Sequence, residues 1–287
     1  MNRILLVAGL VVAGASAQAS FWSWALDGNT SAFSGGVDLV ANPAATGTGG
    51  AGSITYEAAT IGGQSATVAR LTAAGFLGGT SANDPFFSLA NPIGANGGGA
   101  RSNQYTVLID LFLPTSNWQS LLQTGSSHST SAVDAGANAN DGDWFMNTSN
   151  GLGISGNYSD PGNTLTVPIG SWTRLVLTID QTTGNLGNDN TGYRSYVDGA
   201  LQNIVQSPSN FALDGRYSLG STFHFFADED REIVDGLLVN NIALWNRALT
   251  AQEVQALGGA TAQAVPEPMT MTVLALGALT ALRRKRK

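Results

Sequence analysis

The sequence predicts an all-β chain: a two-sheet antiparallel β-sandwich of jelly-roll type, with one short helix near its C-terminal end. Three observations predict it. Glycine is abundant, with 36 among 287 residues. Helical hydrophobic periodicity is nearly absent, and short strand-like runs recur instead, most of them ending in Gly, Asn, Asp or Pro. Many short strands at such spacing specify a sandwich or jelly roll rather than a parallel α/β sheet. No repeat of roughly 20–50 residues is present, which sets solenoids and propellers aside.

Taken in order, the runs are Phe21–Leu26, Ser53–Ala58, Ala66–Leu71, Tyr105–Leu113, Trp118–Gln123 and Trp144–Met146. Arg174–Asp180, Tyr193–Val197, Ile204–Gln206, Thr222–Ala227 and Leu237–Trp245 complete the set. Many alternate apolar and polar residues or form short apolar blocks. Val197-Asp198-Gly199-Ala200 carries the Asp-Gly pair of tight hairpin turns. Asn42–Gly52 and Ala90–Asn103, the latter with Gly97-Gly98-Gly99, read as loops. The helix is signalled by a capping box, Thr250-Ala251-Gln252-Glu253, by a Leu249–Val254 staple and by Gly258 as terminator. It is too short to form a layer and should dock on the sandwich.

The ends of the chain carry addresses. Arg3, the apolar run Ile4–Ala13 and Ala15-Ser16-Ala17 have the layout of a secretory signal peptide, with cleavage between Ala17 and Gln18. The run is shorter than the ~20 residues a permanent bilayer-spanning helix needs. At the other end Pro266-Glu267-Pro268 precedes an apolar stretch, Met269–Leu282, and a terminus of five cations, Arg283 to Lys287. The prolines break any element arriving from the domain. The apolar stretch is expected to form a short hydrophobic helix that enters a bilayer, with the cations on the cytoplasmic side. The chain therefore divides into a signal peptide (1–17), the sandwich (18–259), a linker (260–264) and an apolar, basic C-terminal tail (265–287).

Charge narrows the partners. Six of the 13 basic residues are Arg3 and the five cations at the terminus, so residues 4–282 carry seven against 20 acids, a net charge of −13 and no lysine. Phosphate neutralisation needs clustered Lys and Arg, so no nucleic acid is expected as a partner. Cysteine is absent, which excludes disulfides, thiol nucleophiles and Cys-based zinc sites. An exported domain without disulfides relies on its own core, for which this length suffices.

Two resemblances add to this reading. Pro266-Glu267-Pro268, the hydrophobic stretch and the Arg-rich terminus resemble the PEP-CTERM sorting signal of Gram-negative bacteria. The resemblance implies processing by the membrane transpeptidase exosortase, transient anchoring in the inner membrane through 269–282, and delivery to the cell surface or an exopolysaccharide biofilm matrix. Secondly, Trp24-Ala25-Leu26-Asp27-Gly28-Asn29, Ser171–Thr178, Tyr196-Val197-Asp198-Gly199, Asp235-Gly236-Leu237-Leu238 and Leu244–Thr250 resemble, in order, the motifs of laminin-G-like, concanavalin A-like domains. This implies a concanavalin A-like sandwich that binds carbohydrate or protein without catalysis. The chain departs from the pattern at Val239-Asn240-Asn241-Ile242, where relatives often carry an acidic pair.

Candidate sites are few. Asp228, Asp230 and Glu232 alternate along an extended chain, so their side chains share one side. Three like charges this close repel unless neutralised, by Ca²⁺ with oxygen ligands or, in a solvated turn, by Arg231. A third reading makes two of them the carboxylates of a glycoside hydrolase or lyase acting on exopolysaccharide. They lack, however, the interleaved apolar residues of a buried catalytic strand. Asp141-Gly142-Asp143 is a second oxygen-rich turn, without the terminal Glu of an EF-hand. Among six tryptophans, Trp22, Trp24, Trp172 and Trp245 are expected in the core, and Trp118 and Trp144, near loop edges, are the candidates for ligand contact. Gly47–Gly52 fits G-x-G-x-x-G but leads into a strand, not a helix, so it is no dinucleotide site. The two histidines, His128 and His224, are far apart in sequence and no G-x-S-x-G occurs, which leaves no support for a His-rich metal site or a serine triad. The expected function is that of a non-enzymatic surface or matrix protein binding glycan or protein. A purely structural matrix component is the alternative.

Overall fold

The computed structural model describes residues 20–42, 52–73, 85–125, 144–154, 157–158, 166–183, 192–202, 211–227 and 234–265. Fifteen strands are present among them. They are β1 (Phe21–Ala25), β2 (Val40–Asn42), β3 (Ser53–Ile61), β4 (Gln64–Thr72), β5 (Phe86–Ala90), β6 (Gln104–Phe112), β7 (Gln119–Leu122) and β8 (Trp144–Met146). There follow β9 (Leu152–Ile154), β10 (Asn157–Tyr158), β11 (Trp172–Asp180), β12 (Tyr193–Val197), β13 (Ala200–Leu201), β14 (Thr222–Phe225) and β15 (Leu237–Trp245). Helix α1 (Ala251–Leu257) closes the series.

One layer is an antiparallel sheet in the order β13-β12-β11-β6-β15-β4-β3, with β1 also paired to β15. The other consists of two ladders, β10-β9-β8-β7 and β14-β5-β2. A bridge between Gln123 and His224 joins them, each residue's N–H donating to the other's carbonyl at 2.9 Å. The chain is thus a two-sheet antiparallel β-sandwich of jelly-roll type.

Strand alternation decides what lies between the layers. Tyr105, Val107, Ile109 and Leu111 of β6 face inward, as do Leu175, Leu177 and Ile179 of β11. Phe87, Leu89, Trp144, Phe223 and Phe225 meet them from the opposite sheet. In β15 the register against β6 shifts between Val239 and Asn241. The extra residue lets Leu237 and Val239 share the inner face with Ile242 and Leu244, although the two pairs differ in parity.

The large sheet is buried on its outer face too. Leu108, Val176, Ala243 and Trp245 project there, against Phe21, Leu249, Val254 and Val265. Helix α1 covers them as its sequence anticipates. The Thr250 hydroxyl accepts from Glu253 N–H, the Glu253 carboxylate accepts from Thr250 N–H, and Gly258 ends the helix at φ 64°. Arg247 donates to Glu253 at 2.6 and 2.8 Å. With Thr250 it lowers the Glu253 pKa from its ordinary 4.5 to about 2, against a smaller opposing effect of burial. A depressed folded-state pKa contributes stability that is complete above about 4.5 and lost as the pH falls towards about 2. Urea midpoints measured across that window should fall further in the native chain than in Glu253→Gln. The difference should stay below about 1 kcal/mol, because the pair is a third exposed and screened by water.

The segment after the helix is no free linker. Asn240 Nδ2 donates to Thr261 O at 2.6 Å, Asn241 Nδ2 to Gln263 O at 3.0 Å, and Val265 is 1% exposed. The folded unit therefore continues to Val265, past the boundary at 259 drawn from sequence, and residues 260–264 are bound to the sheet. The Asn240-Asn241 pair, which replaces the expected acids, supplies those bonds. Asn241 also donates to Asp110 Oδ2 at 2.9 Å, a place where a second carboxylate would meet like charge. Asp110 and Arg174 form a bidentate ion pair here at 2.7 Å, 0% and 3% exposed.

Two turns depend on backbone geometry. Asp198 (φ 48°) and Gly199 (φ 81°) both take positive φ, the hairpin turn read from the sequence. Gly35 (φ 93°) lies so close to Trp22 that a Cβ would overlap the indole. Gly35→Ala is expected to cost about 1–3 kcal/mol through strain and overpacking, read as a lower midpoint in thermal melts.

Candidate functional site

Where β5 ends and β14 begins, three irregular stretches surround a cavity of about 420 Å³, lined by Asn91, Ile93, Ala95, Ala100, Arg101, Ser102 and residues 219–221. This volume is in the range of small-molecule and cofactor sites.

Side-chain amides hold the walls in place of a ladder. Asn91 Nδ2 donates to Gly220 O at 2.8 Å and to Ser102 Oγ at 3.0 Å, and its Oδ1 accepts from Ile93 N–H at 2.9 Å. Asn96 accepts from the N–H groups of Asn103 and Gln104 at 2.7 and 2.8 Å and donates to Gln104 O at 2.7 Å. Asn103 accepts from Asp214 N–H and the Ser218 hydroxyl, both at 2.7 Å. Ser102 Oγ donates to Ile93 O at 3.0 Å. These bonds are local Asx-type contacts and cross-links, the kind that Asn and Ser make when no regular ladder competes.

Asp214 fastens the tip of the loop. Its Oδ2 accepts from Ala100 N–H at 2.8 Å, and its Oδ1 from Arg101 N–H at 2.8 Å and from Asn103 Nδ2 at 2.9 Å. Ala100 N–H and then the Asn103 amide hold the carboxyl below the usual carboxylate range. The Arg101 side chain is placed differently. Its Nη1 is buried without a hydrogen-bond partner. Three other arginines are paired with acids: Arg70 with Glu57, Arg174 with Asp110, and Arg247 with Glu253.

Of the ligand-contact candidates singled out from sequence, the described ones, Trp118 and Trp144, do not line this cavity. Trp144 is fully buried, and its Nε1 donates to Ser195 Oγ at 3.1 Å. It bridges β8 of one sheet and β12 of the other, and it is packed in the core rather than at a loop edge. Trp118 is half-buried and does not line the cavity. Trp22, Trp24 and Trp245 are buried as expected, Trp24 donating from Nε1 to Val37 O at 2.8 Å. Trp172 departs from that expectation: it is half-buried and packs on Phe112 at 5.9 Å between ring centroids. Asp228, Asp230, Glu232, Ala17, Gln18, Pro266, Glu267, Pro268, the Asp141–Asp143 turn and the 269–282 stretch lie outside the described residues. Among the described residues no three His, Asp or Glu side chains converge on one point, and no helix is long and apolar enough to cross a membrane. Sequence reasoning missed Asn91 and Arg101. The available signal was an arginine in a Gly- and Asn-rich loop of a chain poor in cations.

No protein-family model matches the chain, and no curated protein sequence matches it. Solved structures do. Domain 4 of a GH43 extracellular arabinanase from Geobacillus stearothermophilus, solved with arabinotriose, is 17% identical, with 84% of this chain and 99% of that one covered at a TM-score of 0.48. The binding domain of botulinum neurotoxin serotype G is 14% identical, with 82% of this chain and 50% of that one covered at 0.47. Trypanosoma rangeli sialidase is 16% identical, with 82% and 31% covered at 0.44. The chain spans half of the neurotoxin structure and about a third of the sialidase. The likeness is one of fold.

Proposed function

We propose that the chain is an exported bacterial surface or biofilm-matrix protein whose sandwich is a non-catalytic carbohydrate-binding domain. The observation that carries the binding role is the edge cavity. It is pre-formed, its walls are cross-linked by Asn91, Asn96 and Asn103, and its lining offers the Arg101 cation and the exposed Ser221 beside apolar surface. A small polar-and-apolar recess with few convergent polar groups suits ligand recognition. Among the described residues that line it there is no carboxylate or imidazole.

Export and sorting rest on the chain ends. Ala15-Ser16-Ala17 supports cleavage before Gln18. Pro266-Glu267-Pro268 with its apolar and basic tail supports processing by exosortase after a transient stay in the inner membrane through 269–282. Ca²⁺, held by Asp228, Asp230 and Glu232, is the accessory ion this reading admits.

Co-sedimentation of the purified full chain with the host's exopolysaccharide, in calcium and in chelator, tests the reading. Saturable binding supports it, and loss in chelator adds the calcium. No binding in either condition contradicts a glycan role, and release of reducing ends would make the protein a hydrolase or lyase.

A further inference from the structure

We infer that the edge cavity takes a sugar bearing a carboxylate, a uronic acid or similar acidic residue of a polysaccharide, with the Arg101 guanidinium as its counter-ion. This rests on the glycan-binding reading above and specifies its ligand.

Arg101 is a half-buried cation on the cavity wall. Its Nη1 has no hydrogen-bond partner, whereas polar atoms removed from water are normally bonded. Asp214, whose charge Arg101 attracts, is committed by hydrogen bonds to the N–H groups of Ala100 and Arg101 and to the Asn103 amide. It therefore fixes the backbone that carries Arg101 and leaves the guanidinium free of an ion pair. A planar fork of N–H donors fits a carboxylate through two parallel bonds, which a neutral sugar hydroxyl cannot match.

The rest of the lining suits a sugar ring. Ala95 and Ala100 are exposed and give apolar surface for C–H faces, over buried Ile93 and Leu219, and Ser221 is an exposed residue of the lining. The net charge also has a bearing. A chain this acidic repels polyanions at long range, so an anionic sugar is held only where a local cation waits for it. Salt screens that repulsion as well as the local pair, and affinity should fall less steeply with ionic strength than for a basic patch.

The test is titration of the full chain with polygalacturonate, alginate and polyglucuronate, against methyl-esterified polygalacturonate and dextran as neutral polymers and poly-glutamate as an acidic polypeptide. At least one uronate is expected to bind saturably, with the neutral polymers about 10- to 100-fold weaker, the effect of one charge-assisted contact. Arg101→Gln should lose the same factor with an unchanged melting temperature, and Arg101→Lys should fall between. Neutral polymers bound as well as uronates, or Arg101→Gln binding as tightly as the native chain, overturns the inference and leaves the glycan reading standing. Poly-glutamate bound as tightly as a uronate also overturns it, in favour of an acidic protein segment. Binding to none of the polymers overturns the inference, and the glycan reading is then decided by the co-sedimentation with the host's exopolysaccharide.

Discussion

Replacing Asp110 with alanine should destabilise the domain by about 3–5 kcal/mol, the loss expected when one partner of a buried ion pair is removed. At about 2–4 °C per kcal/mol for a domain of this size, the melting temperature should drop by roughly 6–20 °C. The reason is geometric. Arg174 spends Nε and Nη2 on Asp110 at 2.7 Å and sends Nη1 to Leu257 O at the end of α1. Without Asp110 its charge stays 3% exposed among Leu108, Val176 and Trp245. Asn241, which also donates to Asp110, loses that acceptor. The loss should therefore fall on the contact between the large sheet and residues 251–265 first. Hydrogen exchange should show α1 opening at lower denaturant than the β6–β11 ladder. A double replacement by apolar residues of similar volume should recover most of the stability, because it removes both charges at once. A loss below about 1 kcal/mol for Asp110→Ala would mean that the pair is solvated.

Trp144→Ala should cost a similar amount, about 3–5 kcal/mol, as a large side chain leaving a packed core. The indole is fully buried and joins the sheets through Ser195, whose hydroxyl also meets Tyr193 Oη at 2.8 Å. Trp144→Phe should cost less and leave the Ser195–Tyr193 contact in place. In either variant the fraction that remains folded should bind ligand with native affinity. Reduced affinity at unchanged stability would return Trp144 to the ligand contacts that its position in the sequence suggested. Equilibrium denaturation together with titration of the folded variant separates the two.

The parts of the fold legible in the sequence were those encoded locally. Trp144–Met146, Tyr193–Val197 and Leu237–Trp245 match their strands end for end, because each is a short apolar or alternating block closed by turn residues. The capping box at Thr250 and the Asp198-Gly199 turn were equally readable, since each needs only a few neighbouring residues. Val40–Asn42 and Phe86–Ala90 were missed as strands. They are short, and what makes them strands is mutual pairing across 46 residues, as between Asn42 and Ser88. Burial of the outer face was equally illegible. Asp110 interrupts an apolar run, and only the register of β6 against β11 shows that Arg174 lies opposite it.

The candidate site was hidden for the same reason. Its walls come from residues 91–95, 100–102 and 219–221, joined by amide bonds that no periodicity announces. The tryptophans drew attention by their size, but in a sandwich large aromatics fill the space between sheets. Arg101 stood out only once its neighbours were placed. Asp214, more than a hundred residues away in sequence, proved to be tied to the backbone beside it.

The most direct test of the account is hydrogen exchange of the full chain with and without saturating polysaccharide. Protection concentrated at residues 91–95, 100–102 and 219–221 is the expected result, since those backbone groups form the cavity wall. Protection that spares those stretches and falls around Trp118 or on the Asp228–Glu232 run would contradict the account and place binding elsewhere on the sandwich.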